Sequence, residues 1–371
     1  MKKIGICTLF TGYNYGSALQ AFALKEFVKQ LGYDCDIIKL SGSLVKGRDF
    51  RVKKAVITLF RILLHSKNKK NVLKSFMQNN KSFLNEKIVK EFDSFYNHYI
   101  NPVYYDYKAL KKIAITDYYS SFICGSDQIW NSTAFYIDPF YFLQFAPQNK
   151  RIAYAPSFGR DFIPNYNKNK LKKFISSFES ISIREESGCK IINDLLGIDV
   201  PVCIDPTFLI DKKIWIEKLG LSMNKEKYIL AYFLNKPTSN ANDFMQYLSN
   251  SKNIKIVYVG NGFENGSLCG PIGFLNLLYN ASYVITDSFH GVAFSINFNK
   301  KFWVFDRNYT TENQSTRIIN LLGKVGLEDR FEPTKESINN DILYEEVNYL
   351  LHTEVDKSKD YLKEKLVKNE R

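Results

Sequence analysis

The sequence predicts an α/β protein with two domains, and three observations support this prediction. The chain has 371 residues, of which 45% are apolar, and this is enough material for two hydrophobic cores. Short apolar runs alternate with a helical spacing at the start of the chain. The same alternation begins again after residue 206. Strands that alternate with helices are typical of a parallel sheet covered by helices.

The first predicted strand covers residues 3–10. Gly12 and Gly16 bracket a turn, and a helical spacing of apolar residues runs on from Ser17. A second strand is predicted at residues 35–40. Because ligands of parallel sheets bind at the carboxyl ends of the strands, the glycine turn is a candidate site.

The first domain is predicted to extend to residue 205 and to contain a basic, mostly helical insertion at about residues 46–115. Three further strands are predicted at residues 121–124, 151–155 and 180–184. Each ends in a cluster of small or polar residues, which is where an α/β protein builds its site.

The second domain is predicted over residues 206–335. Its strands are expected at residues 228–234, 254–260, 283–286 and 302–305, and its helices near residues 239–250, 271–280, 289–298 and 315–322. The apolar spacing of residues 336–371 predicts a helical tail that packs on a neighbour.

Charge is unevenly distributed along the chain. Lys and Arg outnumber Asp and Glu by 51 to 38, and between Lys46 and Lys90 there are 13 basic and two acidic residues. A local basic surface with its own partner fits this pattern better than a general nucleic-acid binder, so nucleic acid is not an expected partner.

The basic segment leaves two interpretations open. Residues 51–65 predict a helix whose apolar side chains share one face, with most basic residues off it. Such a helix can lie on an anionic membrane, which predicts peripheral membrane contact through residues 46–90. The alternative is an ordinary helix packed on its own domain with a solvated basic rim.

Membrane spans, zinc sites and disulfides are not expected. No window of about 20 apolar residues occurs. The six cysteines are scattered and form no Cys-x-x-Cys, which fits a reducing cytoplasm. The chain also lacks the glycine fingerprints of nicotinamide and P-loop proteins and the Gly-x-Ser-x-Gly of many hydrolases.

One histidine stands at a chemically suggestive position. His290 belongs to Asp287-Ser288-Phe289-His290-Gly291, between a predicted strand and a predicted helix. Backbone N–H groups and the positive end of the helix dipole favour an anionic ligand there. The other histidines lie in helical segments with nothing reactive around them: His65, His98 and His352.

Arginines at strand ends are candidates for holding a small dianion, because the guanidinium fork suits phosphate and carboxylate. Arg184 ends a predicted strand, and Arg307 and Arg317 bracket a polar loop. The alternative for each is a structural ion pair with an acidic neighbour such as Glu185 or Asp306.

Seven of these clusters, in order, resemble the motifs of the polysaccharide pyruvyl transferase family. They are Gly12-Tyr-Asn-Tyr-Gly-Ser-Ala-Leu-Gln20, Gly125-Ser-Asp-Gln-Ile-Trp-Asn131, Tyr154-Ala-Pro-Ser-Phe-Gly159, Ile183-Arg-Glu-Glu-Ser187, Asp205-Pro-Thr207, Asp287-Ser-Phe-His-Gly291 and the stretch from Thr316-Arg-Ile to Gly326-Leu. One such motif would be weak evidence, whereas seven in register are strong.

The resemblance implies a fold similar to GT-B glycosyltransferases, with two Rossmann-like domains and the active site in the cleft between them. It implies that pyruvate passes from phosphoenolpyruvate to two hydroxyls of a sugar as a cyclic ketal, in the synthesis of capsule, exopolysaccharide or another cell-surface glycan. The donor is a substrate, and neither a cofactor nor a metal is expected. The expected acceptor is a sugar or a lipid-linked glycan, and the expected location is the cytoplasm at the inner face of the membrane.

The resemblance also implies roles for individual residues. His290 is the candidate acid or phosphate contact, because family members carry a histidine in this motif. From their chemistry, Asp127 is the candidate base, and Arg184 and Arg317 are candidate clamps for the donor. The other residues predicted to contact substrate are Asn14, Tyr15, Gly16, Ser17, Gly125, Ser126, Trp130, Ser157 and Ser288.

Ser288 departs from the family pattern, since well-known members carry an arginine two residues before the histidine. Another cation must then meet the charge of the donor, or this branch uses a different donor or none. Two alternatives therefore stay open: a GT-B-type glycosyltransferase that uses a nucleotide sugar, and a catalytically inactive glycan-binding relative.

Overall fold

The computed structural model describes residues 2–41, 50–65, 86–260, 269–307 and 315–369, together with Phe263 and Gly266. The predicted basic segment at residues 46–90 therefore lies largely outside the described residues, and so does most of the loop between Arg307 and Arg317. The chain divides into two compact units, Met1–Asp205 with Ser358–Arg371, and Pro206–Lys357.

The first unit contains a parallel sheet of six strands in the order β3-β2-β1-β4-β5-β6. The strands are β1 (Lys3–Cys7), β2 (Asp34–Leu40), β3 (Val103–Tyr105), β4 (Tyr119–Cys124), β5 (Arg151–Ala153) and β6 (Ser180–Ile181). The chain leaves β1 towards β2 and later returns to its other side as β4. The carboxyl end of β1 thus lies at a switch point, where open α/β sheets bind ligands.

The helices of the first unit are α1 (Tyr15–Gln30), α2 (Phe50–His65), α3 (Glu86–Phe95), α4 (Tyr107–Ala114), α5 (Asn165–Ile175) and α6 (Glu186–Leu196). A π-helical turn at Tyr96–Ile100 continues α3. Strand β3 lies inside the insertion that the sequence predicted to be mostly helical. It is a strand because Val103 to Tyr105 pair with Ile38 to Leu40 of β2.

The second unit contains a parallel sheet of four strands in the order β10-β9-β7-β8. The strands are β7 (Tyr228–Tyr232), β8 (Lys255–Val259), β9 (Tyr283–Thr286) and β10 (Lys301–Val304). The helices are α7 (Lys212–Leu219), α8 (Ser239–Lys252), α9 (Pro271–Asn280), α10 (Phe289–Asn297) and α11 (Thr316–Lys324), followed by the start of α12 (Tyr344–Lys368). The predicted α/β class with parallel sheets is confirmed in both units.

Helix α12 differs from the separate tail that the sequence predicted for residues 336–371. It belongs to the second unit up to Lys357 and to the first unit from Ser358 onwards. In the first unit, Leu362 is fully buried and the Tyr361 hydroxyl donates to the Ala153 carbonyl at 3.2 Å. Buried apolar side chains thus make the end of this helix part of the first core. None of the described helices is long and apolar enough to cross a membrane.

Candidate active site

The first helix of the chain begins at the predicted glycine turn. Asn14 caps α1, and its side chain accepts a hydrogen bond from the Ser17 backbone N–H at 3.0 Å. The Ser17 hydroxyl donates to Asp127 Oδ2 at 2.6 Å, and both side chains are buried. Tyr15 stacks on Phe92 with ring centroids 5.4 Å apart. The start of α1 therefore holds the candidate base in place.

Gln20 is a residue of this site that the sequence analysis did not assign. Its Nε2 donates to Thr8 Oγ1 at 2.9 Å and to the Leu9 carbonyl at 2.8 Å, while its Oε1 accepts from the Ser126 N–H at 3.2 Å. Gln20 is fully buried. One amide therefore joins the residues after β1 to the loop after β4.

The loop after β4 is tightly packed. The Gly125–Ser126 peptide is cis, and Gly125 has φ +123° with room for no side chain, because a Cβ would lie 1.9 Å from the Tyr154 carbonyl oxygen. The Ser126 hydroxyl donates to the Ala155 carbonyl at 2.7 Å, and Trp130 Nε1 donates to the Tyr141 carbonyl at 3.1 Å. Neither side chain reaches the surface, so we assign Ser126 and Trp130 to building the loop.

Ser157 contacts a carboxylate that the sequence analysis had not singled out for chemistry. Its hydroxyl donates to Glu185 Oε1 at 2.9 Å, and the Phe158 N–H donates to the same oxygen at 2.8 Å. The Ser157 N–H also donates to the Asp127 carbonyl at 2.9 Å. These bonds join the loops that follow β4, β5 and β6.

Arg184 lies among three carboxylates rather than at an open surface. Its Nη1 is 2.7 Å from Asp205 Oδ2, its Nη2 is 3.8 Å from Asp127 Oδ1, and its Nε is 4.0 Å from Glu185 Oε2. Burial lowers the pKa of the guanidinium, but the three neighbouring charges outweigh burial and raise it above the ordinary value. The ion-pair alternative is thus the arrangement found for Arg184.

The first-unit cluster is the group Ser17, Asp127, Ser157, Arg184, Glu185 and Asp205. It places one guanidinium against three carboxylates, so its local charge is negative when the carboxylates are ionised. Such a site repels a phosphate and suits the removal of a proton from a hydroxyl. Asp127 is therefore better placed as a base than Arg184 is as a donor clamp.

The second unit builds a separate group of polar residues after β9. Ser288 caps α10, and its hydroxyl accepts from the Gly291 N–H at 3.4 Å. His290 is the second residue of that helix and is 9% exposed. At Gly291 a Cβ would lie 2.4 Å from Thr286 Oγ1, so the helix can approach the strand closely only with glycine there.

Asp287 joins three strand ends of the second unit. Its carboxylate accepts from the Leu234 N–H at 2.8 Å and the Asn235 N–H at 3.2 Å, and lies 3.5 Å from Arg307 Nε. Burial raises the pKa of Asp287, while the Arg307 charge and the backbone N–H groups oppose this increase. Asp287 thus fixes Arg307 beside the start of α10.

Tyr232 and Phe289 complete the surroundings of the histidine. The Tyr232 hydroxyl is hydrogen-bonded to the Ser288 side chain, and burial raises the pKa of this phenol. The His290 ring stands edge-on to Phe289, with centroids 5.3 Å apart. The guanidinium carbon of Arg317 lies 5.9 Å from the centroid of the same Phe289 ring. His290 and Arg317, both in the first turns of their helices, therefore flank one aromatic side chain.

The second-unit cluster is the group Asp287, Ser288, His290, Arg307 and Arg317. It combines two guanidiniums with the N-termini of α10 and α11, an arrangement that attracts anions. Ten of the predicted site residues lie in the first unit, and Ser288, His290 and Arg317 lie in the second. Among the described residues, no group of three or more His, Cys, Asp or Glu could hold a metal ion.

Comparison with known proteins identifies a family. A family model described as polysaccharide pyruvyl transferase matches residues 14–309, which is most of the chain. A comparison with curated proteins found no match.

Three solved structures illustrate the structural neighbours. The UDP-GlcNAc 2-epimerase from Neisseria meningitidis, bound to UDP-GlcNAc, has 12% identity over 99% of this chain and 100% of its own, with a TM-score of 0.47. Apo UGT2 of Phytolacca americana has 11% identity over all of both chains and a TM-score of 0.46. The E. coli heptosyltransferase WaaC has 10% identity over 84% of this chain and 90% of its own, with a TM-score of 0.33.

Proposed function

Because the chain belongs to the polysaccharide pyruvyl transferase family, we propose that it transfers pyruvate from phosphoenolpyruvate to two hydroxyls of a sugar as a cyclic ketal. The acceptor is a sugar or a lipid-linked glycan of a capsule, an exopolysaccharide or another cell-surface polymer. The observation that carries the proposal is the second-unit cluster, in which His290 and Arg317 lie in the first turns of two helices and Arg307 is held beside them by Asp287.

The donor binds at the second-unit cluster in this proposal. Phosphoenolpyruvate carries a phosphate and a carboxylate, and both groups suit guanidinium forks and helix N-termini. Arg307 is held by Asp287, with Nη2 donating to the Asp287 carbonyl at 3.0 Å, and Arg317 lies over Phe289. Position 288 is a serine where well-known family members carry an arginine, so these two arginines supply the positive charge for the donor.

The proposed chemistry needs one acid and one base. Protonated His290 gives its proton to the methylene carbon of phosphoenolpyruvate, and the adjacent carbon becomes electrophilic. Asp127 removes the proton of a sugar hydroxyl, whose oxygen attacks that carbon. The C–O bond to phosphate then breaks, and its electron pair leaves with the phosphate. The oxygen of the second hydroxyl attacks the same carbon and closes the ring, and its proton passes to the departing phosphate. The negative first-unit cluster suits the hydroxyl, and the positive second-unit cluster suits the donor.

Calorimetry with phosphoenolpyruvate and a panel of nucleotide sugars tests the donor. We expect phosphoenolpyruvate to bind and Arg317→Met to weaken its affinity by roughly tenfold or more, because a charged hydrogen bond is lost. Lys335→Met, which removes one charge elsewhere in the second unit, is the control and should bind normally. Binding of a nucleotide sugar in place of phosphoenolpyruvate would identify a glycosyltransferase instead.

Helix α2 supports a second part of the proposal, the peripheral contact with an anionic membrane. Arg61 turns towards the rest of the first unit, where its Nη1 donates to the Phe135 carbonyl at 2.9 Å and to Asn167 Oδ1 at 2.7 Å. Ile62 is buried on the same side. Among residues 56–64 of the helix, whose side chains the structure describes, the exposed apolar ones are Val56, Leu59, Phe60, Leu63 and Leu64.

An anionic lipid surface is the occupant that matches both properties of this segment. The exposed side chains at residues 56–64 are apolar, and the surrounding sequence from Lys46 to Lys90 has 13 basic and two acidic residues. Apolar insertion and attraction to anionic headgroups reinforce each other at such a surface. The contact would also bring the enzyme to a lipid-linked acceptor.

Cosedimentation with phosphatidylglycerol vesicles tests this contact. We expect the wild-type protein to bind these vesicles and to bind neutral phosphatidylcholine vesicles weakly. The double variant Phe60→Ser, Leu63→Ser should lose most of the binding, whereas Ile115→Ser, which changes an even more exposed apolar residue elsewhere in the first unit, should not. Equal binding by the double variant and the wild type would leave the ordinary packed helix as the correct interpretation.

A further inference from the structure

The first unit contains a cavity that the donor chemistry does not use. It has a volume of about 710 Å³ and lies at the carboxyl ends of β1, β2 and β3. Small-molecule sites commonly have volumes of roughly 300 to 1,000 Å³ and occur at the carboxyl ends of parallel strands. Its size and position are therefore those of a ligand site.

The walls of this cavity combine aromatic rings with a few polar groups. Phe10, Tyr104 and Tyr141 supply rings, and Lys39 and Asp138 are its charged residues. The Lys39 ammonium lies 5.6 Å from the centroid of Phe10 and 5.5 Å from that of Tyr104, which positions it between the two rings. Asp138 Oδ1 accepts from the Phe140 N–H at 3.1 Å, which fixes the carboxylate in the wall.

This composition selects a class of ligand. One ammonium and one carboxylate balance each other, so the cavity does not favour a diphosphate or another multiply charged anion. A purely apolar ligand would displace water from both charged groups without offering either of them a hydrogen bond, at a large cost. A pyranose matches the walls, because its C–H faces pack on aromatic rings and its hydroxyls can donate to Asp138 and accept from Lys39.

The cavity is connected to the candidate base. Its wall residue Thr8 accepts a hydrogen bond from Gln20, and Gln20 in turn accepts one from the Ser126 N–H, next to Asp127. Burial raises the pKa of Tyr141, and the charges of Asp138 and Asp127 add to this increase. Two hydrogen bonds through Gln20 thus link the cavity wall to the loop that carries Asp127.

We propose that this cavity binds the acceptor as a neutral hexopyranose, stacked on Tyr104 and hydrogen-bonded to Asp138 and Lys39. This inference rests on the proposed function, because the bound sugar is an acceptor only if the protein transfers pyruvate to it. The binding of a pyranose to these residues can nevertheless be measured without any donor.

The test uses methyl glycosides of glucose, galactose and mannose as probes, with saturation-transfer NMR and calorimetry. We expect at least one of them to bind the wild-type protein. Tyr104→Ala and Asp138→Asn should each weaken that binding by about tenfold. Tyr104 is 55% exposed, so its replacement should leave the fold intact.

Tyr118→Ala is the matched control. Tyr118 is also an exposed tyrosine, 49% accessible, and it also carries a lysine over its ring, with Lys3 Nζ 5.4 Å from the centroid. It precedes β4, so it lies at the amino ends of the strands, away from the cavity. Sugar binding by this variant should equal that of the wild type.

The outcomes separate this inference from the proposed function. Suppose that a glycoside binds the wild-type protein, that Tyr104→Ala no longer binds it, and that phosphoenolpyruvate is not turned over. The sugar site is then supported, and the proposed pyruvyl transfer is contradicted. If pyruvyl transfer occurs, Tyr104→Ala should raise KM for the sugar without changing kcat or the Kd for phosphoenolpyruvate. Binding of none of the three glycosides, or equal effects of Tyr104→Ala and Tyr118→Ala, would overturn the inference.

Discussion

Arg184 shows how the properties of the first-unit cluster depend on a single side chain. Its guanidinium is the positive charge beside Asp127, Glu185 and Asp205, and the four side chains are buried. A buried ion pair adds little net stability, whereas removal of one partner leaves the others uncompensated. Arg184 is therefore a positioning residue that keeps the carboxylates together.

We predict that Arg184→Met lowers the free energy of unfolding by roughly 3 to 5 kcal/mol, because buried carboxylates lose their counter-charge. Urea unfolding followed by circular dichroism measures the change. The control is Lys213→Met, since Lys213 makes an exposed pair with Glu217 at 3.8 Å, and such pairs contribute about 0 to 1 kcal/mol. If both variants unfolded at the same urea concentration, Arg184 would have no such role.

The sequence predicted some of these residues and missed others for a physical reason. Ser17, Asp127 and His290 stand in short motifs at strand ends, where local sequence indicates a site. Gln20, Glu185 and Asp287 act through partners distant in sequence, such as Leu234 for Asp287. Only the folded chain brings those partners together, so local patterns could not assign the roles.

At the scale of the elements, local signals predicted helices better than short strands. Asn14 caps α1, which begins at Tyr15, two residues ahead of the helical spacing predicted from Ser17. Strand β5 ends at Ala153, although residues 151–155 were predicted, because Ala155 has φ +46° and its N–H donates to Ser182 Oγ instead of a sheet partner. Strand β3 has three residues, too few for any periodic pattern.

Lys300 lies just before β10, where it contacts residues of α7 and α9. The ammonium groups of Lys300 and Lys212 lie 5.6 and 5.8 Å from the centroid of the Tyr279 ring. Burial, and then repulsion from Lys212, lowers the pKa of Lys300 from 10.5 to about 8. Between these two values the unfolded chain binds more protons than the folded chain, so stability increases as pH rises through this window.

We predict that Lys300→Gln removes this pH dependence and stabilises the protein by about 1 kcal/mol at pH 7, a value reduced for the partial exposure of the side chain. Thermal unfolding between pH 7 and 10 measures the effect, with the exposed Lys218→Gln as the control. A wild-type stability that falls as pH rises from 8 to 10, with no difference in Lys300→Gln, would contradict the assignment.

At the scale of the whole molecule, the end of the chain contributes to the core formed by its beginning. From Ser358 onwards, α12 belongs to the first unit, where Ser358 Oγ accepts from the Ile204 N–H at 3.0 Å. Leu362 and Leu366 are buried there. The periodic spacing of the tail predicted a packed helix, but periodicity alone could not identify the unit against which it packs.

We predict that Leu362→Ala lowers the free energy of unfolding by roughly 2 to 5 kcal/mol, the range for a leucine removed from a packed core. Val367→Ala, on the exposed side of the same helix, should cost less than about 1 kcal/mol. Chemical denaturation of both variants gives the comparison. Similar losses in the two variants would mean that this part of α12 is not a core element.

In the proposed mechanism, His290 acts in pyruvyl transfer from phosphoenolpyruvate. The most direct measurement is phosphate release in the presence of a sugar acceptor, combined with mass spectrometry of the glycan. We expect one phosphate for each ketal, a mass increase of one pyruvic acid less one water, and a loss of roughly a hundredfold or more in His290→Gln. Near-normal phosphate release by His290→Gln, or a product without the mass of a ketal, would contradict the claim.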